Sequence, residues 1–402
     1  MKVKLYKLNL NELFIFSSVI LLVVTGVLTT YVSDVFSMVD EIYTGYIIIV
    51  GIIYLAIYKR NNLIKDEKKI LMVYVAIVIL GILGNNKSKF QANNSAIIIE
   101  TITWGKLFLT YVFLMEIMRK EKSEKYYEIS LMLIKFLTVC SIILEILNLL
   151  KIIKLADGYD RFGIPSFSLF GHPSAASTIF AVAVAMLIYD EKRNKKWIYA
   201  CLILEILTFR FKAIIFCCIV IYIKFFMKRK ISFGKILFVL IIGIAIAWNQ
   251  IEFYFLNSTA SRAVALKTSV EIANDYFPLG SGLATFGTSS SGKYYSKAYI
   301  KYNLNNRWGF TEKNYAYIGD GGWATIIAQF GWLGTALFVY MIYLFSRAIF
   351  KRNKNEIITP YLAIISYILI ASTNETIFIS AHCVLFSLAV AILLNQSRNV
   401  KE

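Results

Sequence analysis

The sequence predicts an all-α, polytopic membrane protein with about twelve transmembrane helices and one large extracytoplasmic loop between helices 9 and 10. Three observations carry this. Apolar residues make up 58% of the chain and charged residues only 17%, below the usual quarter for a soluble domain, and the mean hydropathy is +0.63. Runs able to cross a bilayer core of about 30 Å recur from end to end. Lys and Arg gather in alternate short connections, as the positive-inside rule requires.

Helices are expected around residues 22, 50, 77, 107, 140, 181, 203, 219, 243, 335, 367 and 387. The first follows Lys2, Lys4 and Lys7. Its apolar run is too long for a signal peptide and lacks a small-residue cleavage site, so it reads as a retained helix. Asp34, Asp40 and Glu41 form the first outer loop, either a plain acidic connection or paired acids able to hold a metal. Glu100, Lys106, Lys135, Glu145 and Glu205 fall inside apolar runs. Charges there are costly, so these residues should pair, face the bundle interior or line a transport path.

The outer loop Lys151–Ser174 forms a polar patch with Arg161, His172 and two of the four prolines, Pro165 and Pro173. The seventh and eighth runs, Trp197–Phe209 and Ala213–Met227, are short and enclose Arg210, Phe211 and Lys212. Two cations at the tip of so short a hairpin either reach the interface by snorkelling or present a fork for a phosphate group. Arg suits the second role because its planar guanidinium makes bidentate contacts.

The stretch 252–322 is a polar, tyrosine-rich loop of roughly seventy residues, a length that marks function or disorder. Its aromatic content argues against disorder. Ser258–Asp275 is periodic enough for an amphipathic helix, capped by Ser258 or Thr259 and ended near Pro278-Leu279-Gly280. Lys293–Asn303 reads as another, with tyrosines along one face. Arg262, the string GSGLATFG (Gly280, Gly282 and Gly287) and Asp320 are the loop's other features. GSGLATFG lacks the strand–turn–helix context and the Lys-Ser/Thr ending of a nucleotide loop. Asp320 stands before a helix expected from Trp323, as an N-cap carboxylate or as an acid at the mouth of the bundle. Tyr294, Tyr295, Tyr299, Tyr302, Tyr315, Tyr317 and Trp308 suit sugar stacking and an interfacial belt equally.

The net charge of +18 sets topology; it is not a nucleic-acid footprint. The segments Lys59–Lys69, Arg119–Lys125, Lys192–Lys196, Lys228–Lys235 and Arg347–Lys354, with both tails, hold 26 of the 43 basic residues. Both termini are therefore expected in the cytoplasm and the long loop outside. The five cysteines lie in apolar runs with no metal or redox spacing. The whole chain, 1–402, reads as one membrane domain.

Together these pieces resemble the O-antigen polymerase and ligase superfamily, Wzy-type polymerases in particular, over about Arg161 to Gly334. Arg161 with Gly171-His172-Pro173-Ser174 resembles the family's outer-loop arginine and Gly-x-Pro-Asn-like turn, with Ser174 in place of Asn. Thr208-Phe209-Arg210-Phe211-Lys212 is similar to the hairpin motif Thr-x-Ser-Arg. Arg262 and GSGLATFG resemble the loop's Arg and Gly-x-Gly-x-x-x-Phe-Gly. Counting back from Gly331 and Gly334 places Asp320 at the ligase His position and Gln329 at its Glu, and the missing His disfavours a ligase.

The resemblance implies a GT-C-like fold and metal-independent, inverting glycosyl transfer, without a cofactor, on the outer face of a bacterial cytoplasmic membrane. The donor would be a growing glycan on undecaprenyl diphosphate and the acceptor a lipid-linked repeat unit, with a chain-length regulator as possible partner. Arg210 and Arg262 would bind the diphosphate, seconded by Lys212, Arg161 and His172. Asp320 would orient the acceptor hydroxyl as a weak base, its pKa lowered by nearby arginines. A ligase shares the donor site. A lipid-linked oligosaccharide flippase shares the polytopic cationic interior but not the ordered loop.

Overall fold

The structure is a computed structural model that describes residues 10–57, 62–118, 122–154, 164, 166–167, 169–226, 252, 257, 259–352 and 357–399. The expected helix near residue 243 and the candidate Arg161 lie outside the described residues. Among those described, the chain is all-helical, and its apolar helices mark it as membrane-embedded. Five are long and apolar enough to cross a bilayer: α1 (Leu10–Tyr31), α2 (Val39–Ala56), α3 (Lys65–Ser88), α6 (Ser123–Leu149) and α13 (Gly322–Arg352).

A sixth span is bent. Where one helix is expected around residue 107, α4 (Asn94–Gly105) and α5 (Phe108–Ile117) meet at 61°. The cause sits at the break. Lys106 is buried there, its Nζ 2.6 Å from Glu41 Oε1 and in contact with Asp40. This corrects the acidic-loop reading: Asp40 and Glu41 belong to the first turn of α2, and Asp34 opens a 3-10 turn, Asp34–Met38, before it. A buried ammonium is tolerable only with partners of opposite charge, and the bend brings it to them.

The other helices are shorter: α7 (Pro173–Ile188), α8 (Glu191–Leu207), α9 (Phe211–Phe226), α14 (Ile358–Ser372) and α15 (Cys383–Asn399). At 1.5 Å per residue they extend only about 22–26 Å. α5 is buried along its whole length, with α2 and α15 packed on it; α7 packs on α8 and α14, and α14 on α9. All five cysteines are free, and Cys218 faces outward, not into the core.

Residues 259–322 of the long loop are ordered. It carries α10 (Ser261–Asp275) and the short turns α11 (Ser289–Lys293) and α12 (Lys297–Lys301), where one helix is expected over Lys293–Asn303. The N-cap of α10 is Ala260, without a side-chain cap, in place of Ser258 or Thr259. Val264, Ile272, Phe286, Tyr299, Leu304 and Phe310 form a small core against Ala324 and Ala328 of α13. The tyrosines are mostly architectural. Tyr299 is fully buried, accepts from the Gly287 N–H at 2.9 Å and lies 2.7 Å from Ser291 Oγ. Tyr295 donates to the Phe310 carbonyl and Tyr302 to Asp275.

GSGLATFG is the hinge of this arrangement. Gly331 interrupts α13 with φ 60°, ψ −166°, a conformation essentially confined to glycine. The break frees the carbonyls of Ala328 and Gln329, which accept from the N–H groups of Ser281 and Gly282 at 2.9 Å each. On the other side, Asn85 of α3 pairs with both the N–H and the C=O of Leu283 at 2.8 Å. Ser88 donates to the Ser281 carbonyl and Gln91 to that of Ala284. The string is thus a buried backbone wedge between α3 and α13, its polar groups satisfied by protein as burial demands. A Cβ on Gly331 would lie 2.5 Å from Gly280 N and 2.6 Å from Pro278 O. We expect Gly331→Ala to destabilise by at least about 2 kcal/mol. Gly45→Ala, in an open helical position, should be neutral or stabilising by up to about 1 kcal/mol. Thermal unfolding in detergent of the two variants checks the contrast.

Candidate functional site

Six segments bring ionisable groups to one end of the bundle. The first is the start of α7. Gly171 turns the chain with φ 84°, Pro173 occupies the first helical position, and His172 is the N-cap, its side chain accepting from the Ser174 N–H at 3.1 Å. Proline suits that place because its missing N–H is not needed there. The polar loop therefore ends at His172, and Ser174 is helical.

The tip of the α8–α9 hairpin is the second. Phe209 adopts φ 48°, and the hydroxyl of Thr208 donates to the Glu205 carbonyl at 2.7 Å while accepting from the Arg210 N–H at 3.3 Å. This tight reversal sends Arg210 towards His172, with Nη2 3.0 Å from Nε2. Lys212, the second residue of α9, points inward and is 4% exposed. Its Nζ donates to Glu375 Oε1 at 2.5 Å and to Ser174 Oγ at 2.6 Å, and Ser174 Oγ donates to Glu375 Oε2 at 2.5 Å. Lys212 is a buried member of a network, not a snorkelling loop residue.

Glu375 follows α14, and His382 precedes α15. From the long loop come Arg262, in the first turn of α10, and Asp320, before α13, paired at 3.9 Å. Asp320 is not the N-cap of α13: the carbonyl that accepts the first helical N–H, from Thr325 at 3.1 Å, belongs to Gly321.

The electrostatics sort these groups. Burial alone would raise the Glu375 carboxyl, but contact with Lys212 and Ser174 holds it below its ordinary value, so it is ionised. For Asp320 burial wins. Desolvation lifts its pKa above the ordinary carboxylate value against Arg262 and Arg210, and the Glu375 charge adds to the rise. This corrects the expectation that the arginines depress it. His172 keeps an exposed edge, yet crowding by protein, then the Arg210 cation, push it down to about 4. It is neutral at pH 7. With Nδ1 accepting from Ser174, the ring hydrogen is assigned to Nε2, the side that Arg210 approaches.

A small recess with room for about one water molecule opens beside Asp320, lined by Ala265, Phe286, Gly287, Tyr299, Phe310 and Tyr317 among others. Trp308 stands at Tyr317 with ring centroids 4.9 Å apart and is largely exposed. Of the sequence candidates, His172, Arg210 and Lys212 form one group and Arg262 and Asp320 a second beside it. Gly287 lines the recess, whereas Gly280 and Gly282 serve packing. Gln329 is buried and donates to Glu100 Oε1 at 2.9 Å and to the Phe286 carbonyl at 2.8 Å.

Glu375 and His382 escaped the sequence reading. Glu375 stands 163 residues from Lys212, in a short connection with no motif. The one available signal was physical: an inward-facing lysine in an apolar hairpin needs an acid somewhere. No protein-family model, curated protein or solved structure matches the chain.

The protein's two histidines are His172 and His382. Burial also pushes His382 down to about 4, against the pull of Glu375. Folded values below the unfolded reference of about 6.5 mean that unfolding takes up protons. Histidine-linked stability should be complete above about pH 6.5 and decline as pH falls towards 4. Nitrogen-15 NMR of labelled histidine should show both rings neutral at pH 6.5. Arg210→Ala removes the cation beside His172 and should raise the His172 titration while leaving His382 unchanged.

Proposed function

We propose that this chain is a Wzy-type polysaccharide polymerase. It joins undecaprenyl-diphosphate-linked oligosaccharide repeat units on the outer face of a bacterial cytoplasmic membrane, with about twelve spans and both termini in the cytoplasm. The observation that carries the reading is the pair Arg210 and His172, whose side-chain nitrogens lie 3.0 Å apart at the hairpin tip, close enough to contact one diphosphate oxygen together. Arg262 adds a second guanidinium nearby, and Lys212, neutralised by Glu375, braces the Ser174 turn beneath them.

The transfer follows from these roles. The acceptor hydroxyl oxygen attacks the anomeric carbon of the donor sugar from the face opposite the diphosphate. The carbon–oxygen bond to the diphosphate breaks, and its electron pair leaves with the phosphate. The charge that develops there is met by Arg210, His172 Nε2–H and Arg262, fixed donors whose effect is greatest where water is excluded. The hydroxyl proton passes to Asp320, whose raised pKa suits a base better than an exposed aspartate. These positioned cations serve the role a metal would otherwise fill. A ligase would share the donor groups and differ only in acceptor. A chain-length regulator is the expected protein partner.

Arg210→Ala should lower polymerisation by about 10²-fold or more at normal membrane abundance. Arg210→Lys should rescue poorly, because an ammonium lacks the bidentate fork. Asp320→Asn should fold normally, since the residue caps no helix, and accumulate unpolymerised lipid-linked repeats on a polymer-length gel. Wild-type polymer from all three variants would overturn the assignment.

Topology is tested separately. In a cysteine-free background, Ser289→Cys in the exposed part of the long loop should react with an impermeant thiol reagent on spheroplasts. Lys195→Cys, exposed at the start of α8, should not. The reverse pattern would place the site in the cytoplasm and exclude the polymerase.

A further inference from the structure

A chain of side chains runs inward from the cation cluster. The hydroxyl of Thr178 lies 3.0 Å from the Ser174 carbonyl and 3.0 Å from Tyr367 Oη. Tyr367 Oη lies 2.8 Å from Ser177 Oγ, and Ser177 Oγ lies 2.8 Å from Glu205 Oε1. All four side chains are buried, Glu205 completely. Each separation is a hydrogen-bond distance, so four contacts in series require four hydrogens. The hydroxyls of Thr178, Tyr367 and Ser177 bring one each. The terminal acceptor, a backbone carbonyl, brings none. The fourth hydrogen can come only from the Glu205 carboxyl.

The surroundings agree with that count. Among the described residues the buried Glu205 Oε2 has no hydrogen-bond partner, a state far less costly for a neutral acid than for a carboxylate. The cation nearest the chain, Lys212, reaches Thr178 Oγ1 only at 3.5 Å. Its charge is matched by Glu375 at 2.5 Å. Among the described residues, the other titratable groups facing Glu205 are the Cys201 and Cys217 thiols and Tyr367, which bring no positive charge.

We propose that Glu205 is held as a neutral acid and, donating through Ser177, Tyr367 and Thr178, positions the first turn of α7 that carries His172 and Ser174. With a fixed donor at its inner end the chain has one direction, Glu205 to Ser177 to Tyr367 to Thr178 to the Ser174 carbonyl. Ionisation would reverse the Ser177 hydrogen and leave one oxygen–oxygen contact without a hydrogen. Glu205 is thus a positioning residue, acting on the site through α7 from α8, on a neighbouring helix.

Infrared difference spectroscopy between the wild type and Glu205→Gln, in detergent at neutral pH, should show the carbonyl stretch of a protonated carboxylic acid lost in the variant. Carboxylate bands in its place would overturn the proposal. Glutamine brings the missing hydrogen through its amide, so Glu205→Gln should keep the wild-type thermal midpoint and the wild-type His172 nitrogen-15 signals. Glu205→Ala should lower the midpoint by several degrees and shift those signals. Tyr367→Phe cuts the chain without touching the acid and should shift them too, which keeps the test open if the alanine variant does not fold. Equal shifts in Glu205→Gln and Glu205→Ala, or no His172 shift in Tyr367→Phe, would show that the chain does not position the site.

Discussion

An ammonium group buried in an apolar bundle must have an acid in contact, and in this protein the pair Lys212–Glu375 is the constraint on which the candidate site depends. Unpaired, Lys212 would carry a desolvation cost of several kcal/mol. Paired at 2.5 Å, it joins the start of α9 to the end of α14, and Ser174, which touches both partners, adds the start of α7. Three segments distant in sequence are thereby held at one end of the bundle. Arg210 and His172 owe their proximity to this fastening, since each lies two residues from a member of the triad.

A second fastening brings the loop to the same place. The break at Gly331 leaves α13 carbonyls without helical partners, and backbone groups cannot remain unpaired away from water. The glycine string fills the gap with its own N–H groups, while Asn85, Ser88 and Gln91 of α3 and its C-terminal connection take up the rest. Asp320 and Arg262, at the two ends of the folded loop, are consequently held beside the hairpin cations. The opposite end of the bundle is locked by another buried pair, Glu67 with Arg352, reinforced by Tyr111 donating to Glu67 at 2.8 Å. It ties the start of α3 and the end of α13 to α5, so the wedge works against helices whose far ends cannot splay.

The same logic recurs at smaller scale wherever a polar group enters the apolar interior. Lys106 bends a span to reach Asp40 and Glu41. Trp104 and Gln329 share Glu100 across α4 and α13. Glu205 ends a line of hydroxyls. In each case the polar group joins two elements, so these residues decide which helices neighbour one another more specifically than the apolar faces can.

The all-helical, membrane-embedded class was legible in the sequence because it depends on composition and run length, which are local properties. So were the order of the long loop, a helix after Ser258 and the grouping of Arg210 with Lys212, since turn chemistry and short-range spacing are written in neighbouring residues. The bend at Lys106 was not legible, because its cause is an acid pair about sixty-five residues earlier. Nor was the task of Gly280 and Gly282, which is set by a break in a helix that starts forty residues later in the chain. Only the tertiary structure decided that Asp320 has a raised pKa, since that depends on how much protein surrounds it rather than on which arginines stand near. It alone brought in Glu375 and His382: a partner for a buried charge can come from anywhere in the chain, and only packing reveals which residue arrives.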